Sequence, residues 1–116
     1  MQRDARAFLW DAREAAGQIQ GFVSGMDAAA YEGNPMAQAA VERKFEIIGE
    51  ALNQLAKLDA VLATRITDLG QIVAFRNLLI HGYASVNIST VWNVVQTSLP
   101  TLLLQVTALL DELGEA

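Results

Sequence analysis

Apolar residues recur at steps of three and four along almost the whole chain, and this spacing restricts the fold more than any other feature. Phe8, Ala12, Ala15, Ile19 and Phe22 share one face of a helix. Val41, Phe45, Ile48, Leu52 and Leu55 repeat the pattern. Trp92, Val95, Leu99, Leu102, Val106, Leu109 and Leu113 carry it toward the C-terminus. No stretch alternates well enough to read as a strand. The expectation is one domain over residues 1–116, an all-α antiparallel bundle of about five helices.

Helix boundaries follow from a few residues. "GMDAAAYEGNP" (25–35) interrupts the pattern, after which Asn34 can cap a second helix with Pro35 at its first position, where a missing N–H costs nothing. Asp59 can cap a short third helix ending near Thr67. Asp68 followed by Gln71 has the form of a capping box and opens a fourth helix through Ile72, Phe75 and Leu79, which stops near Gly82. Asn87 or Ser89 caps the last helix. Pro100 is expected to kink it, because the carbonyl of Gln96 loses its partner.

Composition adds a constraint on assembly. The chain has 116 residues, of which 53% are apolar and 18% charged. So short a chain leaves much of its surface exposed, so a second copy is expected to cover part of the apolar excess. The absence of cysteine excludes disulfides, thiolate metal sites and cysteine nucleophiles. The opening "MQRDARAFLWDAREAAG" is charged throughout, and no apolar run approaches the roughly 18 to 20 residues that span a bilayer. A soluble, cytoplasmic protein is expected, with no membrane partner. The net charge of −5 argues against a general nucleic-acid coat protein, yet leaves room for a local phosphate site.

Glu42, Glu46 and Glu50 stand one turn apart on the second helix. A carboxylate-bridged metal pair would also need two Glu-x-x-His elements, and the chain has a single histidine. With Arg43 and Lys44 interleaved, these acids read as a solvated or salt-bridged face, and neither metal nor cofactor is expected. Trp10 and Trp92 read as core or interface anchors. A base-stacking platform would want basic residues clustered around them, and the final helix has none.

The polar chemistry gathers in "RNLLIHGY" (76–83). His81 alone could be a cation at a helix C-terminus, Arg76 a surface residue and Tyr83 a packing residue. Together they offer more. An imidazole exchanges protons near neutral pH, a guanidinium holds phosphate with paired hydrogen bonds, and a phenol can act as a nucleophile or donor. At about 100° per residue, Arg76 and Tyr83 project to nearly the same side, with His81 roughly 140° away from Arg76. Either the helix unwinds before Gly82, or two chains complete one site.

"RNLLIHGY" resembles the R-x4-H-x-Y motif of HEPN-domain proteins, specifically the HepT toxins of HepT/MntA toxin–antitoxin pairs. "VERKFEIIGEALNQL" (41–55) is similar to that family's second helix, and "VWNVVQTSLPTLLLQV" (91–106) to its closing helix, proline included. The resemblance covers most of the chain in order. It implies a dimeric, all-helical, metal-independent endoribonuclease that cuts tRNA or mRNA, with Arg76 and His81 as the catalytic pair. It also implies a cognate MntA-like nucleotidyltransferase antitoxin that uses ATP to AMPylate Tyr83. Asn77 is a candidate to orient substrate or hold the motif, and Glu50 to position Arg76 from the neighbouring helix. The small neutral loop at 25–34 and the acidic charge bear on the RNA-binding surface rather than on the chemistry. The rival readings are a non-catalytic HEPN module that presents nucleotide or substrate to a nucleotidyltransferase, and a purely structural dimerisation bundle.

Overall fold

The computed structural model describes residues 4–82, 84 and 86–114. Among them the chain forms seven helices and no strand: α1 (Ala5–Phe22), α2 (Ala28–Glu32), α3 (Pro35–Leu58), α4 (Ala60–Ala63), α5 (Leu69–His81), α6 (Ile88–Gln96) and α7 (Ser98–Leu113). α3 is the central element. It packs against α1 on one side and α5 on the other, while α1 also packs on α7 and the short α2 bridges α3 and α6.

The caps that start α3 and α4 are those expected. The Asn34 side chain accepts from the Ala37 N–H at 3.0 Å with Pro35 next in line. Asp59 ends α3 and accepts from Leu62 N–H at 3.0 Å to begin α4. That helix closes at Ala63, earlier than the expected end near Thr67. The box at Asp68 and Gln71 does not form. Asp68 sits at φ −99°, ψ 16°, away from the extended conformation that lets a capping side chain fold back, and makes no side-chain cap bond. The turn before α5 is tied across the bundle instead, where Thr67 N–H donates to Gln105 Oε1 of α7 at 3.1 Å.

Two more departures raise the helix count above five. Within the interruption at 25–35, Asp27 accepts from Ala30 N–H at 2.8 Å and winds α2. Tyr31 anchors that turn fully buried, its ring centroid 5.1 Å from that of Trp92. The closing helix is not one rod kinked at Pro100 but two helices meeting at 41°. The break falls at Thr97, where N–H and hydroxyl both donate to Asn93 carbonyl, at 2.9 and 2.8 Å. Pro100 thus lies in the first turn of α7, where its missing N–H has no intrahelical acceptor to lose.

The core follows the periodicity, with one shift of face. All five α3 positions named above are buried, as are Ile72, Phe75 and Leu79 of α5. Phe45 and Phe75 meet edge to face at 5.2 Å, joining α3 to α5. On α1, Leu9 rather than Phe8 enters the core and Phe22 stays exposed, because Ala12, Ala15 and Ala16 make the inward face narrow. In α6 Val91 and Val95 are buried and Trp92 is half-buried. Among the described residues no single helix is long and apolar enough to cross a membrane.

Candidate functional site

The site begins with a glycine. Gly49 is buried in the middle of α3 opposite Arg76 of α5, and a Cβ built on it would lie 2.2 Å from Arg76 Cβ and 2.6 Å from its Cγ. The arginine stem therefore rests directly on the α3 backbone. This contact carries the guanidinium to the next residue of α3, Glu50.

There the head group is held at both ends. Arg76 Nη2 donates to Glu50 Oε2 at 2.9 Å, and Nη1 donates to the neighbouring Asn77 Oδ1 at 2.8 Å. Glu50 is itself fixed, its other oxygen accepting from Gln54 Nε2 at 3.0 Å one turn further along α3. Arg76 Nε is buried and has no hydrogen-bond partner. Of the five N–H donors of a guanidinium, two are committed to orientation by Asn77 and Glu50.

Arg76 lines a cleft of about 250 Å³ between α1, α3 and α5, together with Phe8, Asp11, Arg43, Glu46, Glu50 and Ile80. The three acids of α3 have separate surroundings. Glu50 pairs with Arg76 and Glu46 stands 3.8 Å from Arg43. Glu42 is pushed above the usual carboxylate range by burial and by the nearby Glu46 charge. Burial, and then the charge of Glu42, raises the Tyr31 phenol to about 12. Its hydroxyl is buried without a partner. No group of three or more metal-ligating side chains gathers among the described residues.

The remaining motif residues are placed differently. α5 stays helical to its last residue, His81, and Gly82 N–H donates to Leu78 carbonyl at 2.8 Å. The helix therefore does not unwind to turn His81 toward Arg76. His81 is exposed and is not among the residues lining the cleft. Asn77 is exposed and tied to Arg76. Tyr83, the residue expected to be modified, lies outside the described residues. Gly49 and Gln54 were not singled out from sequence. A glycine one residue before a candidate acid, inside a strongly periodic helix, is the signal that could have marked the first.

An all-helical bundle with an arginine locked at the rim of a cleft, in an R-x4-H motif, defines a HEPN-type domain. The chain belongs to the family described as HepT-like ribonucleases ("Ribonuclease HepT-like"), which it matches over residues 12–109. Two relatives come from Methanocaldococcus jannaschii. The protein named "Putative RNase MJ1380" is 32% identical over 101 residues, covering 87% of this chain and 92% of the relative. "Putative RNase MJ0125" is 29% identical over 114 residues, covering 98% and 97%. No solved structure matches significantly. Family and relatives together support a ribonuclease function.

Proposed function

We propose that this chain is the toxin of a HEPN/MNT toxin–antitoxin pair. On this reading it is a metal-independent endoribonuclease that acts in the cytoplasm as a homodimer, and a cognate MntA-like nucleotidyltransferase silences it by AMPylating Tyr83. The observation that carries the reading is the setting of Arg76. Its guanidinium is oriented by Glu50 and Asn77 at a cleft, with a buried N–H left over, in a chain of a ribonuclease family. A fixed cation of this kind stabilises the charge that builds on phosphoryl oxygens during transfer.

RNA carries its own nucleophile. The 2′-oxygen bonds to phosphorus as the bond from phosphorus to the 5′-oxygen breaks. One proton leaves the 2′-hydroxyl and another reaches the departing 5′-oxygen. On this reading His81 is the group that exchanges these protons, and Arg76 stabilises the phosphorane. The products are a 2′,3′-cyclic phosphate and a 5′-hydroxyl. On a helix wound through His81, the two side chains diverge by roughly 140°, which supports a site completed by two chains. Leu78 and Ile80, exposed on the same helix, are apolar surface for the second chain to cover. AMP on Tyr83 would add negative charge and bulk to the motif and so oppose binding of the RNA phosphate.

The test is cleavage of total RNA and purified tRNA, of either class of target, by the isolated protein in EDTA, with the new ends identified. Cyclic-phosphate and 5′-hydroxyl ends are expected. Intact RNA would favour the non-catalytic module, and 5′-phosphate ends that appear only with divalent metal would overturn the mechanism.

A further inference from the structure

The Arg76 cleft does not end at Arg43. A second hollow of about 220 Å³ adjoins it and shares Asp11 and Ile47 with it, so the two form one groove along the seam of α1 and α3. Arg76 stands at one end; Trp10 of α1 and Lys44 of α3 line the other. Trp10 is 49% exposed, a large aromatic surface left in water. Lys44 has no ion pair among the described residues, whereas Arg13 lies 3.7 Å from Glu14 and Arg43 lies 3.8 Å from Glu46. An exposed aromatic face offers a stacking surface for an unpaired base, and the cation beside it one contact for the backbone, fewer basic groups than a general single-strand groove carries. Thirty-four positions separate the two residues in sequence, and only the packing of α1 on α3 joins them.

We propose that this groove is a binding subsite for single-stranded RNA, in which Trp10 stacks on an unpaired base and Lys44 contacts a backbone phosphate. The inference rests on the ribonuclease reading of the Arg76 cleft and extends its substrate site by one subsite. By the rise of 1.5 Å per residue, Lys44 and Glu50 are separated by about 9 Å along α3, so both ends lie on one short stretch of extended strand. The acids of the groove, Asp11, Glu14, Glu46 and Glu50, oppose a densely charged duplex. Stacking therefore contributes more than charge here, which agrees with a net charge of −5. A duplex, whose bases are already stacked on one another, offers no free base to Trp10.

The experiment uses the full chain and an unstructured 2′-O-methyl oligoribonucleotide, which lacks the attacking hydroxyl and stays intact, with tryptophan fluorescence as the readout. Quenching is expected in wild type and is lost in Trp10→Phe, which still binds because a phenyl ring also stacks. Trp10→Ala should raise both the Kd for the analogue and the KM for cleavable RNA by roughly five- to a hundred-fold, the range of one lost base stack, with kcat nearly unchanged. Lys44→Gln should reduce the dependence of log Kd on log salt by about 0.7, the value of one phosphate contact on a single strand. Cleavage by wild type with unchanged Kd and KM in Trp10→Ala would overturn this subsite alone. Quenching by the analogue without any RNA cleavage would overturn the ribonuclease reading alone. Dissociation of the protein into monomers by Trp10→Ala in sedimentation would make Trp10 a contact between copies and overturn the subsite.

Discussion

Gly49 and Arg76 touch with no space for another atom between them: a methyl group on the glycine would stand 2.2 Å from the arginine Cβ. The closeness of α3 and α5 at this point sets where the guanidinium ends up. Backbone propensity and packing oppose each other here. Alanine is favoured over glycine in a helix interior by about 0.5–1 kcal/mol, while overpacking a tight contact costs about 1–3 kcal/mol.

Gly49→Ala should therefore lower the thermal midpoint and shift Arg76 from its partners. Gly17→Ala is the internal control, since nothing lies within 4 Å of a Cβ there, and it should raise stability by roughly 0.5–1 kcal/mol. Thermal unfolding of the two variants checks the pair. Equal changes in both would show that the contact is not tight.

Glu50 orients Arg76, and its removal should affect rate more than binding. Glu50→Ala is expected to lower kcat by about ten-fold or more, since a small misplacement of a catalytic group is enough for large losses. Glu50→Gln, which still offers an oxygen to Nη2, should recover part of the rate. A purely structural role would leave kcat per folded molecule unchanged in both, as measured by steady-state cleavage alongside circular dichroism.

Arg76→Ala and His81→Ala should each abolish cleavage, the latter by a factor of about 10² to 10⁴. Unfolding and refolding the two variants together then tests whether a site is shared. In a two-fold dimer, half of a random mixture is heterodimer with one intact site, so about a quarter of wild-type activity should return. No recovery would place both residues of each site on one chain.

Tyr83 carries the regulatory prediction. Co-expression with the proposed nucleotidyltransferase partner should add one or more AMP units to the peptide containing Tyr83, visible by intact mass, and RNA cleavage should be lost. If Tyr83→Phe is neutralised as fully as wild type, simple occlusion by the partner is the better account.

Glu42 contributes a pH-dependent term to stability. Its folded pKa is raised by burial and by Glu46, so the fold favours the protonated form. The advantage is complete below the ordinary carboxylate range and is lost as pH rises through the folded value. At neutral pH the charge is a liability, and Glu42→Gln should raise the melting temperature there. That gain should vanish in acid, where wild type is already protonated. Tyr31, at about 12, has the same sign, and stability should fall as pH climbs from about 10 toward that value. Melting curves across pH check both.

Much of this molecule could be read from its spacing. The α3 stripe was legible residue by residue because both of its flanks are packed, and packing on both sides leaves a strict period. The α1 stripe was displaced from Leu9 to Phe8, since adjacent apolar residues look alike to a periodicity and only the small alanines of α1 decide which one turns inward. α2 has five residues, too few for a periodic signal, and the break at Thr97 depends on hydrogen bonds to Asn93 that no hydropathy pattern encodes. At the site, Arg76, Asn77 and His81 share one motif, and Glu50 stood out on the neighbouring helix. Gly49 was silent because its contribution is an absence of atoms. The proximity of Trp10 to Lys44 is tertiary information.

On the proposed two-chain site, the uninterrupted winding of α5 through His81 has a consequence for dosage. An active centre that needs one residue from each of two chains forms at a rate set by their encounter. Below the dissociation constant, its abundance follows the square of the chain concentration. Tenfold dilution then removes about 99% of the active centres, as mass action for a dimer requires. A nuclease organised this way stays quiet when a few copies leak from an idle gene and rises steeply once the chain accumulates beyond its partner.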